Sequence, residues 1–317
     1  MKLAPVIPFE PVLASRCPEG ERWIAQIKWD GVRMLAYFDG KDFRLVNRKR
    51  NDRTAQYPEF GDPAAYCRAS SFILDGEFIA FNESRPSFRE IMKRDSLRNQ
   101  AGIGLAVRQV PVTYMVFDIL YANGEWVTGK TLEERQRLMN ELVIAGDRVQ
   151  LCGNFPEPAN LFGLMRKRNM EGIVCKSLDS AYALGGKDGR WRKLKITRDL
   201  VAAVGGATFS GGVVNSLLLG LYDEENRLHY IGHAGTGKLS GADWRELTER
   251  LVPLVSKRMP FALRPGRHKD AVWTAPGMAA KVRYMEWTAG GTMRQPSIQA
   301  FMPMASPADC PIDQIGR

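Results

Sequence analysis

The sequence has no two cysteines close enough to form a CxxC pair. Its five cysteines are scattered over 317 residues, at Cys17, Cys67, Cys152, Cys175 and Cys310. This spacing argues against a zinc ribbon or a zinc finger. The odd number and the wide scatter predict reduced thiols and an intracellular protein.

Long apolar runs are also absent. No segment approaches the length that a transmembrane helix needs. The N-terminal stretch MKLAPVIPFEPVLAS is interrupted by Pro5, Pro8 and Pro11, where a signal peptide would have a continuous apolar region. There is no internal repeat and no low-complexity tract. We therefore expect no membrane association.

The length and the net charge of the chain bear on the number of domains and on the type of partner. A chain of 317 residues is too long for one ordinary core and suits two domains. The net charge of +10 makes a polyanion a plausible partner. A basic enzyme without such a partner is the alternative that charge alone leaves open.

The pattern of apolar residues changes near residues 197–200. Before this point, charged residues interrupt short strand-like segments, and capping boxes at Ser87 and Thr131 predict helices toward Arg98 and Val143. The strand-like segments are residues 22–47, 72–81, 112–120, 170–178 and 190–196. We predict an α+β fold with a first domain, 1–197, of antiparallel sheets and flanking helices.

The second part of the chain has a different pattern of apolar residues. Several short apolar strands surround one predicted helix at about residues 240–257. This arrangement is typical of a small Greek-key barrel of the OB type. We therefore predict an OB-fold β-barrel domain at residues 200–317.

The stretch AQIKWDGVRML, residues 25–35, places charged side chains inside an apolar segment. On a strand, Lys28 shares its face with Gln26 and leaves the strand just before a turn at Asp30-Gly31. A lysine that is partly desolvated, or close to other cations, loses its proton more easily and becomes a nucleophile. Arg33 is close enough in sequence to reach over the same cleft. A hairpin tip with solvated charges is the alternative interpretation.

Four further segments repeat this pattern of charge within apolar sequence. They are Asp75-Gly76-Glu77, Phe117-Asp118, EGIVCK at 171–176 and WRKLK at 191–195. Lys193 and Lys195 point the same way on a strand, and two such lysines repel each other unless an anion lies between them. Each segment alone is compatible with a surface strand. All five together, in this order, argue against surface strands as the explanation.

The ordered segments KWDGVR, LVNR, LDGE, VFDILY, EGIVCK and WRKLK resemble motifs I, Ia, III, IIIa, IV and V of the ATP-dependent DNA ligases. Two later segments, SLLLGLYDEENRLHYIGHAGTGKL and MEWTAGGTMRQPS, resemble the OB domain of bacterial end-joining ligases of the C and D types. The resemblance implies a nucleotidyltransferase (adenylation) domain followed by an OB-fold domain. It also implies sealing of 5′-phosphate/3′-hydroxyl breaks in duplex DNA through a lysyl-AMP intermediate. An RNA ligase or capping-type enzyme, which shares the lysine chemistry, is the alternative; a non-catalytic DNA-binding protein is a third possibility.

The resemblance also implies roles for individual residues. Lys28 would attack the α-phosphorus of ATP and carry AMP covalently, while Lys193 and Lys195 would neutralise the α-phosphate. Nucleotide contacts are implied for Gln26, Ile27, Arg33, Arg48, Glu77 and Phe117. Phe117 would stack on adenine, Glu77 would hold the ribose hydroxyls, and Arg33 and Arg48 would contact ribose and phosphate. Glu171, with Glu77, would place Mg²⁺ or Mn²⁺.

The sequence departs from the family pattern at two places. Gln26 stands where relatives usually use a carboxylate to recognise the adenine amino group, although its amide oxygen can accept the same hydrogen bond. An Arg-x-Asp-Lys element usual on the OB domain is replaced near residues 302–305 by Met-Pro-Met-Ala. We therefore expect slow self-adenylylation, or other basic residues in its place.

Basic residues predict how DNA is bound. We expect phosphate contacts from Arg48, Lys49, Arg50, Arg53, Arg85, Arg89 and Lys93, with a solvated helix face as the alternative for the last three. Little chain precedes Trp23, so the two domains themselves would clamp the DNA. The expected partners are nicked duplex DNA and a Ku-like end-binding protein. We expect a monomer in the bacterial cytoplasm, associated with the nucleoid.

Overall fold

The computed structural model describes residues 3–82, 85–235, 237, 239–266, 269–275, 277–302, 306 and 309–316. The chain divides into two compact units, Met1–Ile196 and Thr197–Arg317. The division lies beside residues 197–200, where the sequence pattern changes. None of the helices in the described part of the chain has the length and hydropathy to cross a lipid bilayer.

The first unit is built from short strands and four helices in its described residues. The strands β1 to β12 are Val12–Leu13, Trp23–Ile27, Val32–Phe38, Phe43–Asn47, Phe72–Ile79, Phe81–Asn82, Arg85–Pro86, Thr113–Ala122, Glu125–Trp126, Val149–Leu151, Gly172–Ser177 and Trp191–Lys195. The helices α1 to α4 are Phe88–Asp95, Gln100–Gln109, Leu132–Leu142 and Pro158–Lys167. Short 3₁₀ helices lie at Thr54–Gln56, Pro58–Phe60 and Pro63–Ala65.

Two sheets form the frame of this unit. The first has the order β1-β12-β11-β2, and the second has the order β10-β8-β5-β3-β4 with β9 paired to β8. Most neighbouring strands are antiparallel, as predicted, but β1 runs parallel to β12 and β10 runs parallel to β8. The predicted antiparallel pairing therefore holds except at these two edges. The connection from β8 to β10 contains α3, and such a crossover lets the chain return in the same direction.

The alternation of side chains along the first sheet gives it two different faces. One face packs against α4 in a core of Ala25, Leu161, Met165, Ile173, Cys175 and Leu194. The other face contributes Trp191 and Val174 to a core that also contains Leu35, Ile73 and Leu120 of the second sheet. Residues that point from the first sheet toward the second therefore line the space between the sheets, which we call the cleft.

The two predicted capping boxes have different outcomes. Thr131 forms one: its hydroxyl accepts from the Glu134 backbone N–H, and the Glu134 carboxylate accepts from the Thr131 N–H. Ser87 precedes α1 but makes no side-chain cap hydrogen bond with the described residues. The capping box predicted there is wrong, because the carboxylate of Glu90 accepts a hydrogen bond from Lys93 Nζ at 2.6 Å instead.

The second unit contains seven strands and one α-helix among its described residues. The strands β13 to β19 are Arg198–Ser210, Val213–Tyr222, Leu228–Ala234, Val255–Ser256, Val272–Thr274, Ala279–Tyr284 and Ser297–Met302. Helix α5 is Gly241–Leu251, and 3₁₀ helices lie at Val252–Leu254 and Ile312–Gly316. The predicted helix at about 240–257 is therefore shorter, since Pro253 opens a 3₁₀ turn and β16 follows.

Strand order in the second unit follows the predicted OB topology. The sheet has the order β15-β14-β13-β17-β16, and β18 pairs with both β13 and β19. Helix α5 follows the three-stranded meander and buries Leu247 and Leu251 in its core. Among the described residues the strand pairs do not run continuously around a barrel, and an isolated bridge between Gly237 and Ile298 links the end of the meander to β19.

Candidate active site

Lys28 lies directly after β2, beside the start of β11. Its backbone N–H donates to the carbonyl of Gly172 at 3.0 Å, and its Nζ donates to Glu171 Oε2 at 2.6 Å. The Lys28 side chain is 22% exposed and that of Glu171 is 9% exposed. The ammonium group is thus held in a partly desolvated ion pair and remains accessible to a ligand.

The glycine after Glu171 permits this arrangement. Gly172 has φ +142°, and a Cβ atom there would lie 2.0 Å from the backbone oxygen of Leu194 on β12. A larger residue would push β11 away from β12. Gly172 therefore places the carboxylate of Glu171 between Lys28 and the lysines of β12.

Those lysines add positive charge to the same place. Lys195 Nζ lies 3.7 Å from Glu171 Oε1. Lys193 forms no side-chain hydrogen bond or ion pair within the described part of the chain, and burial, followed by the charges of Lys195 and Lys28, lowers its pKa. Three lysines near one another, two of them paired with one carboxylate, leave net positive charge, so the site is suited to an anion such as a phosphate group. The structure thus brings together three lysines that the sequence analysis singled out.

Glu77 on β5 supplies a second acidic group on the opposite sheet. It lies in register with Arg33 on β3. Burial raises the pKa of the Glu77 carboxyl to about 8, although Lys28 and Arg33 act in the opposite direction. At neutral pH this carboxyl is therefore largely protonated and can donate as well as accept hydrogen bonds.

Arg33 is held by the protein itself. Its Nε and Nη2 donate to the two carboxylate oxygens of Asp75 at 2.9 and 2.5 Å, and its Nη1 donates to the Phe9 carbonyl at 2.6 Å. The hydroxyl of Tyr182 donates to Asp75 Oδ2 at 2.7 Å and closes this cluster. The guanidinium carbon lies 5.2 Å from the centroid of the Phe117 ring. Arg33 therefore supports the rings of Phe117 and Trp191, which we call the aromatic wall. Its contact with ribose or phosphate stays a prediction.

The aromatic wall contains a buried lysine that sequence analysis left without a role. Lys176 Nζ lies 4.3 Å from the centroid of the Phe117 ring and 3.9 Å from that of Trp191. Burial lowers the pKa of Lys176 to about 8. The alternation along EGIVCK places Lys176 on the same face as Val174, so the position was detectable from the sequence. Cation–π contact with two rings offsets part of its desolvation.

Gln26 and Ile27 lie on opposite faces of β2. Gln26 is 2% exposed and faces the cleft, where its Nε2 donates to Asn154 Oδ1 at 2.7 Å. The side chain of Ile27 packs against the core beneath α4. A nucleotide contact of Ile27 therefore stays a prediction for its backbone alone. Asn154 was not anticipated from the sequence, because nothing in its local pattern marks it.

The predicted DNA-binding residues fall into two groups. Arg53 is largely buried: its side chain is 13% exposed, and its Nε lies 3.2 Å from Asp95 Oδ1. Because its guanidinium already neutralises a buried carboxylate, a DNA contact of Arg53 has less support from the structure and stays a prediction. Arg48 is exposed and lies 3.3 Å from Glu10 Oε1, and Lys49 and Arg50 are exposed at the turn after β4.

The second basic cluster lies at the start of α1. Arg85, Arg89 and Lys93 are exposed, and Lys93 pairs with Glu90 in the same helix. Exposure makes these side chains available to a polyanion, but a solvated helix face would look the same. Their contact with DNA stays a prediction.

A divalent cation has limited ligands from this chain. Within the described residues, no group of three or more His, Cys, Asp and Glu side chains is placed to hold a metal ion. Mg²⁺ commonly binds through one or two carboxylates together with substrate phosphates and water. Glu171, beside Lys28 and Lys195, fits a cation that is bound to a nucleoside triphosphate. Glu77, whose burial favours the protonated form, fits less well at neutral pH.

The lysine among cations, the aromatic wall and the two-unit fold define a nucleotidyltransferase. Comparison with family models makes this more specific. The model for the ATP dependent DNA ligase domain matches residues 11–195, and the model for the ATP dependent DNA ligase C terminal region matches residues 210–302. The chain belongs to the ATP-dependent DNA ligase family, and an RNA ligase or capping enzyme is not favoured.

Relatives refine the assignment. The chain is 30% identical over 315 residues to the multifunctional non-homologous end joining protein LigD of Mycobacterium bovis. It is 32% identical over 294 residues to the protein of the same name from Pseudomonas aeruginosa. These matches cover 97% and 89% of this chain but only 39% and 34% of the relatives. The chain thus spans less than two fifths of the length of these relatives.

Solved structures agree with the sequence relatives. The ligase domain of M. tuberculosis LigD matches with a TM-score of 0.53 and 28% identity, covering 96% of this chain and 97% of that one. A mycobacterial DNA ligase D complexed with ATP and MES matches with a TM-score of 0.52 and 29% identity over the same shares. The predicted nucleotidyltransferase and OB-fold architecture is confirmed by this likeness.

Proposed function

We propose that this chain seals 5′-phosphate/3′-hydroxyl breaks in duplex DNA at the expense of ATP, in DNA repair or end joining. The observation that carries the proposal is the cluster of Lys28, Glu171, Lys193 and Lys195, in which a lysine amine lies beside a carboxylate and two further cations. Membership of the ligase family supports the reaction class.

In the first step, the Lys28 amine attacks the α-phosphorus of ATP. A P–N bond forms, the bond to pyrophosphate breaks, and AMP becomes attached to the lysine. Glu171 Oε2, at 2.6 Å from Nζ, is placed to accept the proton that Lys28 must lose. Lys193 and Lys195 would neutralise the charge that accumulates on the α-phosphate.

The remaining steps use the same centre. The DNA 5′-phosphate attacks the lysyl-AMP and breaks the P–N bond, and the 3′-hydroxyl then attacks the activated phosphate and expels AMP. Each step is an in-line displacement at phosphorus, so positioning and charge neutralisation carry most of the catalysis. Mg²⁺ or Mn²⁺ bound with ATP, and held by Glu171, would supply further neutralisation of the phosphates.

The nucleoside would occupy the aromatic side of the cleft. Phe117 would stack on adenine, Gln26 would accept a hydrogen bond from the adenine amino group, and Glu77 would bind the ribose hydroxyls. The half-buried ring of Phe117, backed by Lys176 and Trp191, supports this placement.

The cellular partners are a further part of the proposal. Two relatives are named for non-homologous end joining, which supports nicked or broken duplex DNA as substrate, a Ku-like end-binding protein as partner and a place at the bacterial nucleoid. The position of the missing Arg-x-Asp-Lys element, residues 302–305, lies mostly outside the described residues. We propose that other basic residues contact the pyrophosphate, or that self-adenylylation is slow.

Labelling with α-³²P-ATP tests the proposal. Protein is first treated with pyrophosphate to remove any AMP already attached, and is then compared with Lys28→Ala and with the exposed-lysine control Lys41→Ala. We expect wild type and Lys41→Ala to become labelled and to seal nicked duplex DNA, with ATP preferred to GTP and DNA to RNA. Wild-type protein that takes no label, or label that persists in Lys28→Ala, would contradict the proposal.

A further inference from the structure

Three side-chain amides form a chain of hydrogen bonds beside the cleft, which we call the amide relay. Gln26 Nε2 donates to Asn154 Oδ1 at 2.7 Å, Asn154 Nδ2 donates to Gln136 Oε1 at 2.9 Å, and Gln136 Nε2 donates to the Phe117 backbone carbonyl at 2.8 Å. The relay therefore joins the two residues that the proposed function places against adenine, Gln26 and Phe117.

The direction of every bond in the relay follows from its last member. A backbone carbonyl only accepts hydrogen bonds, so Gln136 must turn its NH₂ group toward Phe117 and its oxygen toward Asn154. Asn154 must then donate to Gln136 and offer its own oxygen to Gln26. One N–H of the Gln26 amide is used by this bond, which fixes the side on which the NH₂ group lies, and the amide oxygen is the acceptor that Gln26 offers to a ligand.

Both ends of the relay are anchored. The segment that carries Asn154 is fixed to β2, since Ala25 and Phe155 exchange backbone hydrogen bonds of 2.8 and 2.9 Å. At the other end, Arg135 and Asp118, the chain neighbours of Gln136 and Phe117, form a buried ion pair with a 2.8 Å contact.

Burial differs along the relay. Gln26 and Gln136 are 2% and 5% exposed, whereas Asn154 is exposed between them. A change at Asn154 therefore removes the link without opening a cavity in the core.

A glutamine at this position must be held in one orientation, whereas a carboxylate need not be. A carboxylate presents an acceptor in either rotamer, but a primary amide that rotates by 180° presents a donor instead. An acceptor at this place pairs with the amino group on C6 of adenine, and a donor would pair with the C6 oxygen of hypoxanthine or guanine. Discrimination between these bases by Gln26 thus requires that its amide cannot turn over.

We propose that Asn154 and Gln136 are positioning residues that fix the orientation of the Gln26 amide and so select a nucleotide with an amino group at C6. This inference rests on the proposed function, because it assumes that the nucleobase lies against Gln26. Loss of the relay lets Gln26 rotate, which weakens the hydrogen bond to ATP and creates one to ITP.

The test compares ATP with ITP in the self-nucleotidylation of Lys28. Asn154→Leu removes both amide functions, whereas Asn154→Asp keeps the acceptor for Gln26 Nε2. We expect Asn154→Leu to raise the ratio of ITP to ATP kcat/KM by about tenfold, which is about 1.4 kcal/mol, mainly through a higher KM for ATP. Asn154→Asp should keep the ratio near that of wild type. The exposed substitution Asn160→Leu controls for a surface asparagine replaced by leucine.

A second variant, Gln136→Met, cuts the relay at its buried link and should move the ratio in the same direction. A purely structural role would lower the rates with ATP and ITP together and leave their ratio unchanged in both relay variants, which would overturn the inference. So would a ratio that rises equally in Asn154→Asp. Absence of any label in wild type would instead refute the proposed function, so the two failures are distinguishable.

Discussion

The ion pair between Asp118 and Arg135 makes a quantitative prediction about stability. Both side chains are fully buried, and they are joined by Nε–Oδ1 and Nη2–Oδ2 contacts of 2.8 and 3.0 Å. Arg135 Nη1 also donates to the carbonyls of Lys130 and Ser180 at 2.6 and 3.0 Å. Substitution Asp118→Ala leaves the guanidinium charge in the interior without its carboxylate. Breaking one side of a buried pair costs about 3–5 kcal/mol in the free energy of unfolding.

Urea unfolding followed by tryptophan fluorescence measures this loss. The matched control is Asp179→Ala, which removes a carboxylate from the exposed pair with Arg22, where both side chains are about half exposed. We expect the control to leave the free energy of unfolding nearly unchanged, as is usual for exposed pairs. The m-value is compared between variants to verify that the same surface is exposed on unfolding.

The double variant Asp118→Ala with Arg135→Met separates charge from packing. Since it leaves no buried charge unpaired, it should recover part of the stability that Asp118→Ala loses. A loss of less than about 1 kcal/mol for Asp118→Ala at an unchanged m-value would refute the reasoning. A double variant less stable than the single one would equally refute it.

Three further predictions follow from the site. Burial raises the pKa of the Glu77 carboxyl from 4.5 to about 8, so between these pH values the folded state binds a proton that the unfolded state does not. The free energy of unfolding should therefore fall as pH rises from about 5 to 8. In urea titrations, Glu77→Gln should flatten this dependence on pH. Gly172→Ala, which brings a Cβ to 2.0 Å from the Leu194 oxygen, should lower the melting temperature and reduce ATP labelling more than tenfold. Arg53→Gln should lower the free energy of unfolding by about 1.5–3 kcal/mol. Lys49→Gln should change it by no more than about 0.5 kcal/mol. In low-salt filter binding, Lys49→Gln should weaken the retention of DNA.

The cleft was predictable where local sequence carries the information. Charged residues inside apolar, alternating segments marked Lys28, Lys193 and Lys195, and the family resemblance carried by the order of those segments implied that the three lysines share one site. Strand alternation alone was enough to assign the lysines of β12 to one face. The same reasoning would have placed Lys176 in the cleft.

The sequence does not reveal ion-pair and hydrogen-bond partners that lie far apart along the chain. Arg53 looked like part of an exposed basic cluster because its carboxylate, Asp95, comes 42 residues later. The nucleotide contact of Arg33 is implied by the resemblance and stays a prediction, but its ion pair with Asp75 on another strand has no local sign in the sequence. The amide relay joins Gln26 and Phe117 through Asn154 and Gln136, which have no local signature.

Two helices of the first unit also escaped prediction, for a local reason. Helix α2 has the sequence QAGIGLAVRQ, and its two glycines lower helix propensity by roughly 1 kcal/mol each relative to alanine. Helix α4, PANLFGLMRK, begins with proline and contains a further glycine. Tertiary packing stabilises both despite weak intrinsic preference, as Leu161 and Met165 of α4 show by their burial against the first sheet.

The two-faced character of the first sheet restricts how this protein can change in length during evolution. On β11, Lys176 faces the cleft and Cys175 faces α4. One residue inserted within that strand would exchange the two faces, put a neutral thiol where the ammonium stands and turn every following side chain over. Insertions and deletions that preserve the chemistry are therefore confined to the connections, such as residues 178–190 between β11 and β12.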